Sequence, residues 1–204
     1  MVAAANIYLM LNKPRGVVTT ARDEKDRKTV YAGLDVNLPW LGPVGRLDKA
    51  SEGLLLLTND SEWAARVLAP DTHLDKTYHV QIAKIADEAL LGALTRGVAS
   101  GEGEMLRVKA ARVLRSGNKN SWLEIVLDEG KNRQIRRMLS GCGVEVLRLV
   151  RVALGPLMLG ELAKGASRRL SNGEKQRLDA AMKASHTSRG PRKEDRNRAS
   201  GEKN

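Results

Sequence analysis

The residues best suited to chemistry lie in a short charged segment that is bounded by glycines and followed by an apolar run. Asp48 stands between Gly45 and Gly53, and the apolar run Leu54–Leu57 follows directly. Glycines permit tight turns and the close approach of a ligand. A loop carboxylate anchored to a rigid strand is well placed to act as a nucleophile or base. The pattern alone leaves open a second interpretation, in which Asp48 is a solvated loop residue.

A second segment places an aromatic hydroxyl on a strand. Polar and apolar residues alternate from Thr77 to Ile82, so Tyr78 shares a face with Val80, while His79 lies on the polar face. On the pattern alone, the favoured interpretation is a tyrosine at the edge of the core whose hydroxyl reaches water, and a role in a site is the alternative. His79 is expected to be a surface residue.

A third segment presents three guanidinium groups on one face of a predicted helix. Arg133, Arg136 and Arg137 are spaced i, i+3 and i+4 and therefore share a face. The opposite face carries apolar residues at the same spacing: Ile135, Met138 and Leu139. Arginine suits bidentate pairing with a carboxylate or phosphate. The alternative is an exposed basic face that forms only surface ion pairs.

Other chemistries have less support. The chain has no Gly-x-x-x-x-Gly-Lys phosphate loop, and Gly101-Glu102-Gly103 lacks the third glycine of a dinucleotide fingerprint. A glycosidase pair formed by Asp48 and Glu52 is hard to reconcile with the arginine cluster, which suits an anionic substrate. Three histidines and one cysteine are too scattered for the spacing of a metal site.

The elements that would position these residues are short strands and helices. We predict a strand at 7–11, a turn at 13–16 and a strand at 17–20, which together form a hairpin. Further predicted strands span 54–58 (buried on both faces), 77–82, 106–114, 122–127 and 144–152; predicted helices span 61–68, 87–98 and 132–141, with Asp87 and Asn132 as N-caps. Strand pairs with scattered helices, without regular βαβ alternation, indicate an α+β fold with a mixed or antiparallel sheet.

Charge and cysteine content narrow the class of protein. A net charge of +11 favours a polyanionic partner, because folding does not need such an excess. Cys142 is the only cysteine, so no intrachain disulfide can form, which suits the reducing cytosol. No signal peptide is recognisable, and the apolar runs are too short to span a bilayer. We therefore expect a cytoplasmic protein that does not interact with membranes.

Taken together, the three segments resemble the motifs of one family, the RsuA family of pseudouridine synthases, which modify ribosomal RNA. Residues 12–17 resemble its opening motif, 45–56 its catalytic motif, 76–78 its tyrosine motif, 129–138 its arginine motif and 147–155 the segment that follows. The likeness runs from about Ile7 to Leu178 with the motifs in the expected order.

The resemblance implies a long, mostly antiparallel central sheet flanked by helices, with a catalytic cleft across its middle. This agrees with the α+β fold predicted from the pattern. The opening motif begins almost at the first residue, as in shorter members that lack an N-terminal RNA-binding module. Residues 1–180 are expected to form the catalytic domain. Residues 181–204 are expected to form a disordered basic tail, because 187–204 hold six Lys or Arg against three acidic residues and no large apolar residue.

The resemblance also implies a role for individual residues. Asp48 is the catalytic carboxylate, and Arg136 is the partner that keeps it charged and oriented. Tyr78 stacks on the flipped uracil and helps to remove the C5 proton. The residues implied to line the RNA path are Lys13, Arg46, Lys76, Lys131, Arg133, Gln134 and Arg137. The reaction re-forms an N1–C1′ bond as C5–C1′ without oxidation, so no cofactor or metal is expected.

The implied function is the isomerisation of a specific uridine to pseudouridine in ribosomal RNA, with the large-subunit RNA favoured. The expected partner is ribosomal RNA or a pre-ribosomal particle, and the expected state is a monomer. Two alternatives stay open at this point. A ribosome-assembly factor that binds RNA without catalysis fits the charge equally well, and a pseudouridine synthase acting on transfer RNA would use related motifs.

Overall fold

The fold was analysed in a computed structural model that describes residues 5–20, 25, 27–101 and 103–187. Its strands are β1 (Tyr8–Lys13), β2 (Gly42–Val44), β3 (Glu52–Thr58), β4 (Lys76–Ile82), β5 (Val98–Ala99), β6 (Met105–Leu106), β7 (Ala110–Ser116), β8 (Ser121–Leu127), β9 (Val146–Leu154), β10 (Leu157–Met158) and β11 (Ser167–Arg169). Its helices are α1 (Ser61–Leu68), α2 (Glu88–Arg96), α3 (Gln134–Gly141) and α4 (Asn172–Thr187), with short 3-10 turns at Val30–Gly33 and Pro70–Thr72.

A single large sheet organises the chain, in the order β11-β1-β3-β9-β4-β8-β7. Strand β2 extends it beside β3, and β10 pairs with the end of β9. The pairings within this sheet are antiparallel except for β3 with β9, which run parallel over Glu52–Gly53 and Val150–Arg151. The mostly antiparallel α+β architecture is therefore confirmed, and one short parallel contact joins its two halves.

Apolar clusters cover the two faces of the sheet unequally. On the front face, α2 and α3 pack over β4, β8 and the start of β9, while loop residues such as Val30 and Leu41 pack over β1 and β3. On the back face, α1 and α4 pack over β1, β3 and the end of β9. The front clusters meet at Tyr78, which contacts both of them.

Strand β3 is the most deeply buried element. All seven of its residues are buried, as the continuous apolar run predicted. Its odd residues face the front cluster and its even leucines face the back cluster. Full burial of one leucine side chain contributes about 1.5–3 kcal/mol, so Leu54–Leu57 make β3 a rigid base for the loop that precedes it.

Two helices follow the sequence signals closely. Helix α1 spans Ser61–Leu68 as predicted, because the carboxylate of Asp60 accepts the Trp63 N–H at its start and Pro70 prevents its continuation. Helix α2 is capped by Asp87, whose Oδ1 accepts the Leu90 N–H at 2.8 Å.

The predicted hairpin between 7–11 and 17–20 is wrong. Strand β1 forms, but both of its edges are occupied, by β3 on one side and β11 on the other. Residues after the turn therefore have no free edge to pair with. Val18 forms only an isolated bridge with Thr29, and Val17 is buried in the front cluster.

Two predicted boundaries also move. Helix α3 begins at Gln134 rather than after a cap at Asn132, because Arg133 occupies the N-cap position with a left-handed backbone (φ 48°) and no side-chain cap. Helix α4 runs to Thr187, beyond the expected domain end at 180, and Met182 is buried in the back cluster. The remainder of the expected tail, 188–204, lies outside the described residues. In the described part of the chain, no helix combines the length and apolarity needed to cross a membrane.

Gly53 is required for the parallel contact between β3 and β9. Its φ is +102°, and a Cβ there would overlap the carbonyl oxygen and nitrogen of Arg151. We expect Gly53→Ala to lower the free energy of unfolding by about 1–3 kcal/mol, the scale of a strained backbone position, or to prevent folding. Gly101→Ala is the control, since its Cβ would meet nothing within 4 Å, and a change within about 0.5 kcal/mol is expected. Equal stability of both variants in urea unfolding would contradict this account.

Candidate active site

A cleft of about 1250 Å³ opens on the front face between the two halves of the sheet. Its walls include charged and aromatic side chains from four regions of the chain: Arg46 and Asp48, Lys76 and Tyr78, Lys131, Arg133 and Gln134, and Arg151. The three segments singled out by sequence therefore converge on one cavity, although they are far apart in the chain.

Asp48 lies in the loop between β2 and β3, with its carboxylate open to the cleft. About a third of its side chain is exposed (34%), and its Oδ2 lies 3.7 Å from Nη1 of Arg133. The neighbouring Leu47 is buried and anchors the loop to the front cluster. An accessible carboxylate beside one guanidinium is open to a ligand.

The backbone of this loop is held by hydrogen bonds over its last five residues. Five consecutive carbonyls accept hydrogen bonds, from Leu47 to Ser51. Their donors are, in order, Thr19 Oγ1 (2.8 Å), Ser51 N (2.9 Å), Gly16 N (2.7 Å), Arg136 Nη2 (3.0 Å) and Lys13 Nζ (2.8 Å). Such a network holds the Asp48 carboxylate in one position before a ligand arrives.

Lys13 supports this loop from below and does not line the RNA path, which corrects the sequence prediction. It is fully buried, and its Nζ donates to the carbonyls of Ser51 and Pro14. Burial lowers the pKa of Lys13 to about 8, although the carboxylates of Glu52 and Asp48 oppose that shift. The alternation of β1 could have indicated its inward orientation.

Glu52 is a second buried charge beneath the loop. Its side chain is 3% exposed and is held by Arg148 at 3.0 Å and Lys164 at 2.6 Å. Burial alone would raise the pKa of Glu52, but hydrogen bonds and charge from Arg148 and Lys164 outweigh it and lower the pKa. Since Glu52 is buried in these ion pairs and does not border the cleft, it cannot form a glycosidase pair with Asp48.

Arg136 does not pair with Asp48 as expected, because the nearest guanidinium belongs to Arg133. Arg136 instead bridges two carbonyls, those of Ala50 (3.0 Å) and Val146 (3.5 Å). Burial and the positive charges of Arg133 and Arg15 lower the pKa of Arg136, and Asp48 opposes them, so Asp48 and Arg136 still interact through space. Arg133 takes the place expected of Arg136 because it precedes the helix in a left-handed conformation. The helical spacing therefore does not predict where its side chain lies.

Tyr78 forms the wall of the cleft at the junction of the front clusters. It is half-buried, and it faces the same side as Val80 and Ile82, as the alternation predicted. Arg151 lies beside it in register on β9 and donates from Nε to the carbonyl of Leu54 at 2.8 Å. An aromatic ring with one face toward an open cavity can stack on a planar ligand.

The remaining predicted RNA contacts divide into two groups. Arg46 is exposed on the cleft, and Lys76 borders it, with a pKa lowered by burial and by Arg151. Lys131 also borders it but pairs with Glu104 at 3.0 Å and Glu129 at 3.2 Å. These three keep their ammonium or guanidinium groups within reach of a ligand.

Gln134 and Arg137 are occupied by contacts within the protein. Gln134 is buried, and its amide donates to the Arg107 carbonyl at 2.9 Å and to Glu129 at 3.2 Å. Arg137 contacts Ser100 at 3.0 Å and Glu104 at 3.1 Å and does not line the cleft. Gln134 borders the cleft but is held by these contacts in the loop before α3. Contact of either residue with RNA stays a prediction.

Comparison with known proteins identifies a family. A family model for RNA pseudouridylate synthases matches residues 7–141. The ribosomal large subunit pseudouridine synthase B of Bacillus subtilis (strain 168) is 40% identical over 176 residues, 85% of this chain and 72% of that protein. An uncharacterized RNA pseudouridine synthase of Aquifex aeolicus (strain VF5) is 36% identical, over 86% of this chain and 70% of that protein.

Solved structures show the same relationship. The crystal structure of a pseudouridylate synthase superposes with a TM-score of 0.74 at 33% identity, covering 87% of this chain and 75% of the other. Human RNA pseudouridylate synthase domain containing 1 shares the fold at 17% identity and a TM-score of 0.56. Because the family model covers more than half of the sequence and the Bacillus relative is 40% identical over 85% of it, the chain belongs to the RNA pseudouridylate synthase family.

Proposed function

We propose that this protein converts a specific uridine of large-subunit ribosomal RNA to pseudouridine, with Asp48 as the catalytic carboxylate. The observation that carries the proposal is the Asp48 carboxylate, which faces an open cleft beside Tyr78 and Arg133 on a loop fixed at five carbonyls. The ribosomal name of the Bacillus relative supports the choice of RNA. The substrate is ribosomal RNA, free or in a pre-ribosomal particle in the cytoplasm.

The chemistry needs no exchange of atoms with a second substrate. The N1–C1′ bond breaks, the uracil rotates, and C5 bonds to C1′; C5 then loses its proton, and N1 ends with one. The target base cannot react within a stack, so it must flip out of the RNA. Ligand sites typically occupy about 300–1,000 Å³, so a cleft of about 1250 Å³ accommodates a flipped nucleotide with part of its backbone.

Asp48 and Tyr78 divide the chemical work. Asp48 either adds to the sugar or base or abstracts a sugar proton, and each route requires its ionised form. Arg133 supplies the neighbouring positive charge. Tyr78 stacks on the flipped uracil, and its hydroxyl assists removal of the C5 proton. Arg136 is a positioning residue that acts through the Ala50 carbonyl.

The cleft margins bind the RNA backbone. Arg46, Lys76 and Lys131 border the cavity with cationic groups, and Arg133 approaches it from the start of α3. Phosphate contacts of this kind set register and orientation, whereas contacts within the pocket select the base. Arg46, next to Asp48, is placed to fill the space that the flipped base leaves.

Asp48→Asn removes the charge and keeps the shape. We expect pseudouridine formation to fall by at least about 10²–10⁴-fold while RNA affinity changes little. Glu88→Gln, which neutralises an exposed carboxylate on α2, is the control and should retain full activity. The measurement is pseudouridine content in ribosomal RNA after reaction with each purified variant. Parent-like turnover by Asp48→Asn would refute the catalytic assignment, and full function of that variant in cells would favour a non-catalytic assembly factor.

Arg136→Lys keeps the charge but cannot span both carbonyls. We expect kcat to fall at least about tenfold with KM nearly unchanged, because a point ammonium does not reproduce the guanidinium fork. Arg137→Lys is the matched control on the same helix, since a lysine can still pair with Glu104. Steady-state kinetics separate the two parameters. A kcat equal to that of the parent would show that charge alone suffices at position 136.

Substitutions at Tyr78 separate stacking from proton transfer. Tyr78→Phe should bind RNA normally and cleave the glycosidic bond, but release product about 10²–10⁴-fold more slowly. Tyr78→Leu should also lose about 1–3 kcal/mol of binding, the value of one base on an aromatic platform.

The assay for both variants is single-turnover release of tritium from uracil C5, with a parallel binding titration. Tyr31→Phe, whose hydroxyl donates to the Leu41 carbonyl outside the cleft, is the control. A Tyr78→Phe variant as fast as the parent would show that the hydroxyl is not essential. A Tyr78→Leu variant with parent-like binding and rate would show that Tyr78 does not contact the substrate.

A further inference from the structure

Among the residues that the structure describes, no helix packs over the back of the half-sheet formed by β4, β7 and β8. Helices α2 and α3 cover only the front of this half. The cluster that contains α1 and α4 includes no residue of β4, β7 or β8. The alternate side chains of β8, which include Trp122 and Glu124, are half-buried rather than packed beneath a helix. Because these side chains are partly exposed, this face of the sheet is accessible to a ligand.

Two arginines flank an aromatic ring on this face. The guanidinium carbon of Arg115 lies 5.1 Å from the centroid of the Trp122 ring, and that of Arg148 lies 5.5 Å from it. Arg115 is opposite Trp122 in the β7–β8 register, and Arg148 reaches it from β9 across Gln81. Cation–π contacts hold such guanidinium groups in place without neutralising them. Arg115 is exposed, and no carboxylate of the described residues pairs with it.

The face carries more positive than negative charge. Two carboxylates of the described residues lie here, and both are compensated: Glu52 pairs with Arg148 and Lys164, and Glu124 pairs with Arg112 at 2.8 Å and lies 3.5 Å from His79. Together with Arg115, the described part of the face has four Lys or Arg side chains and these two carboxylates. Arg115 is the one of the four that no described carboxylate neutralises.

A continuous series of guanidinium groups connects this face with the active site. Arg133 contacts Asp48 and, with Arg136, lines a second recess of about 410 Å³ at the start of β9. An arginine lies at each of the first three residues of β9. Arg136 donates to the Val146 carbonyl, and Arg15 donates to the Leu147 carbonyl at 3.2 Å. The third residue of the strand is Arg148 itself. The recess is also bordered by Glu145, so a polyanion that leaves the cleft past Arg133 meets four arginines and one carboxylate before it reaches Trp122.

We propose that the back face around Arg115, Trp122 and Arg148 binds the phosphodiester backbone of the same RNA, beyond the target nucleotide. The proposal rests on the function proposed above, because it takes the occupant to be the substrate RNA. Phosphates fit the face because it offers the exposed guanidinium fork of Arg115 and an excess of cations around it. Trp122 orients the arginines, and the contacts fix the position of the RNA without reading its sequence.

The test compares a short target hairpin, which fills only the cleft, with a longer ribosomal RNA fragment that contains the same hairpin. Binding of each RNA is titrated over a range of salt concentrations for the parent, Arg115→Gln, Arg115→Lys and the control Arg96→Gln. Arg96 is exposed at the end of α2, which covers the opposite face of the same half-sheet. Turnover of each variant is measured at saturating RNA.

We expect Arg115→Gln to weaken binding of the long RNA about three- to tenfold and to reduce its salt slope by about 0.7–0.9, the effect of one lost phosphate contact. Binding of the short hairpin and turnover at saturation should match the parent. Arg115→Lys should restore most of the salt slope, and Arg96→Gln should behave as the parent.

Parent-like affinity and salt slope of Arg115→Gln on the long RNA would overturn the proposal. Equal weakening on both RNAs would also overturn it, since the effect would then reach the cleft through the fold. Failure of the proposed function looks different. A parent protein without turnover on either RNA would refute the synthase, whereas selective weakening of the long RNA would still support the back face as an RNA-binding surface.

Discussion

The active-site loop depends on one constraint, that each carbonyl from Leu47 to Ser51 must find a donor. Backbone groups that lose contact with water without a partner cost free energy comparable to a lost hydrogen bond. The chain meets this demand from four places: the segment after β1 supplies Gly16 and Thr19, β1 supplies Lys13, α3 supplies Arg136, and the loop itself supplies the N–H of Ser51. The two halves of the sheet are thereby tied to the same few residues, and Asp48 is held where they meet.

Two of those donors are cations, and their burial has a cost. Lys13 is withdrawn from water, which is why its pKa falls to about 8. Glu52, on the neighbouring strand β3, forms ion pairs with two other cations, Arg148 and Lys164. Removing one member of a buried ionic group leaves an uncompensated charge, which destabilises a protein more than the group contributes as a whole. Each buried charge beneath the loop therefore depends on the others, and together they keep the loop in place.

Local signals predicted much of this architecture. The apolar run of β3, the alternation of β4, the helical segment of α1 and the cap of α2 each act over a few residues, and all four elements formed as expected. The convergence of Asp48, Tyr78 and the arginine segment followed from the resemblance of the motifs. Periodicity could not reveal which arginine approaches Asp48, because the left-handed residue before α3 breaks the helical spacing. Nor could it show that β11 occupies the edge of β1, since that pairing joins residues that lie far apart in the sequence.

The left-handed conformation of Arg133 places a local weakness at the centre of the site. A residue with a side chain costs roughly 1–2 kcal/mol in that conformation, whereas glycine adopts it freely. A chain selected for stability alone would have glycine or asparagine there, and it would lose the guanidinium that lies beside Asp48. Under the role proposed for Asp48, stability and activity thus make opposite demands on Arg133, and engineering for thermal robustness that draws on backbone preferences alone would replace the residue that activity needs.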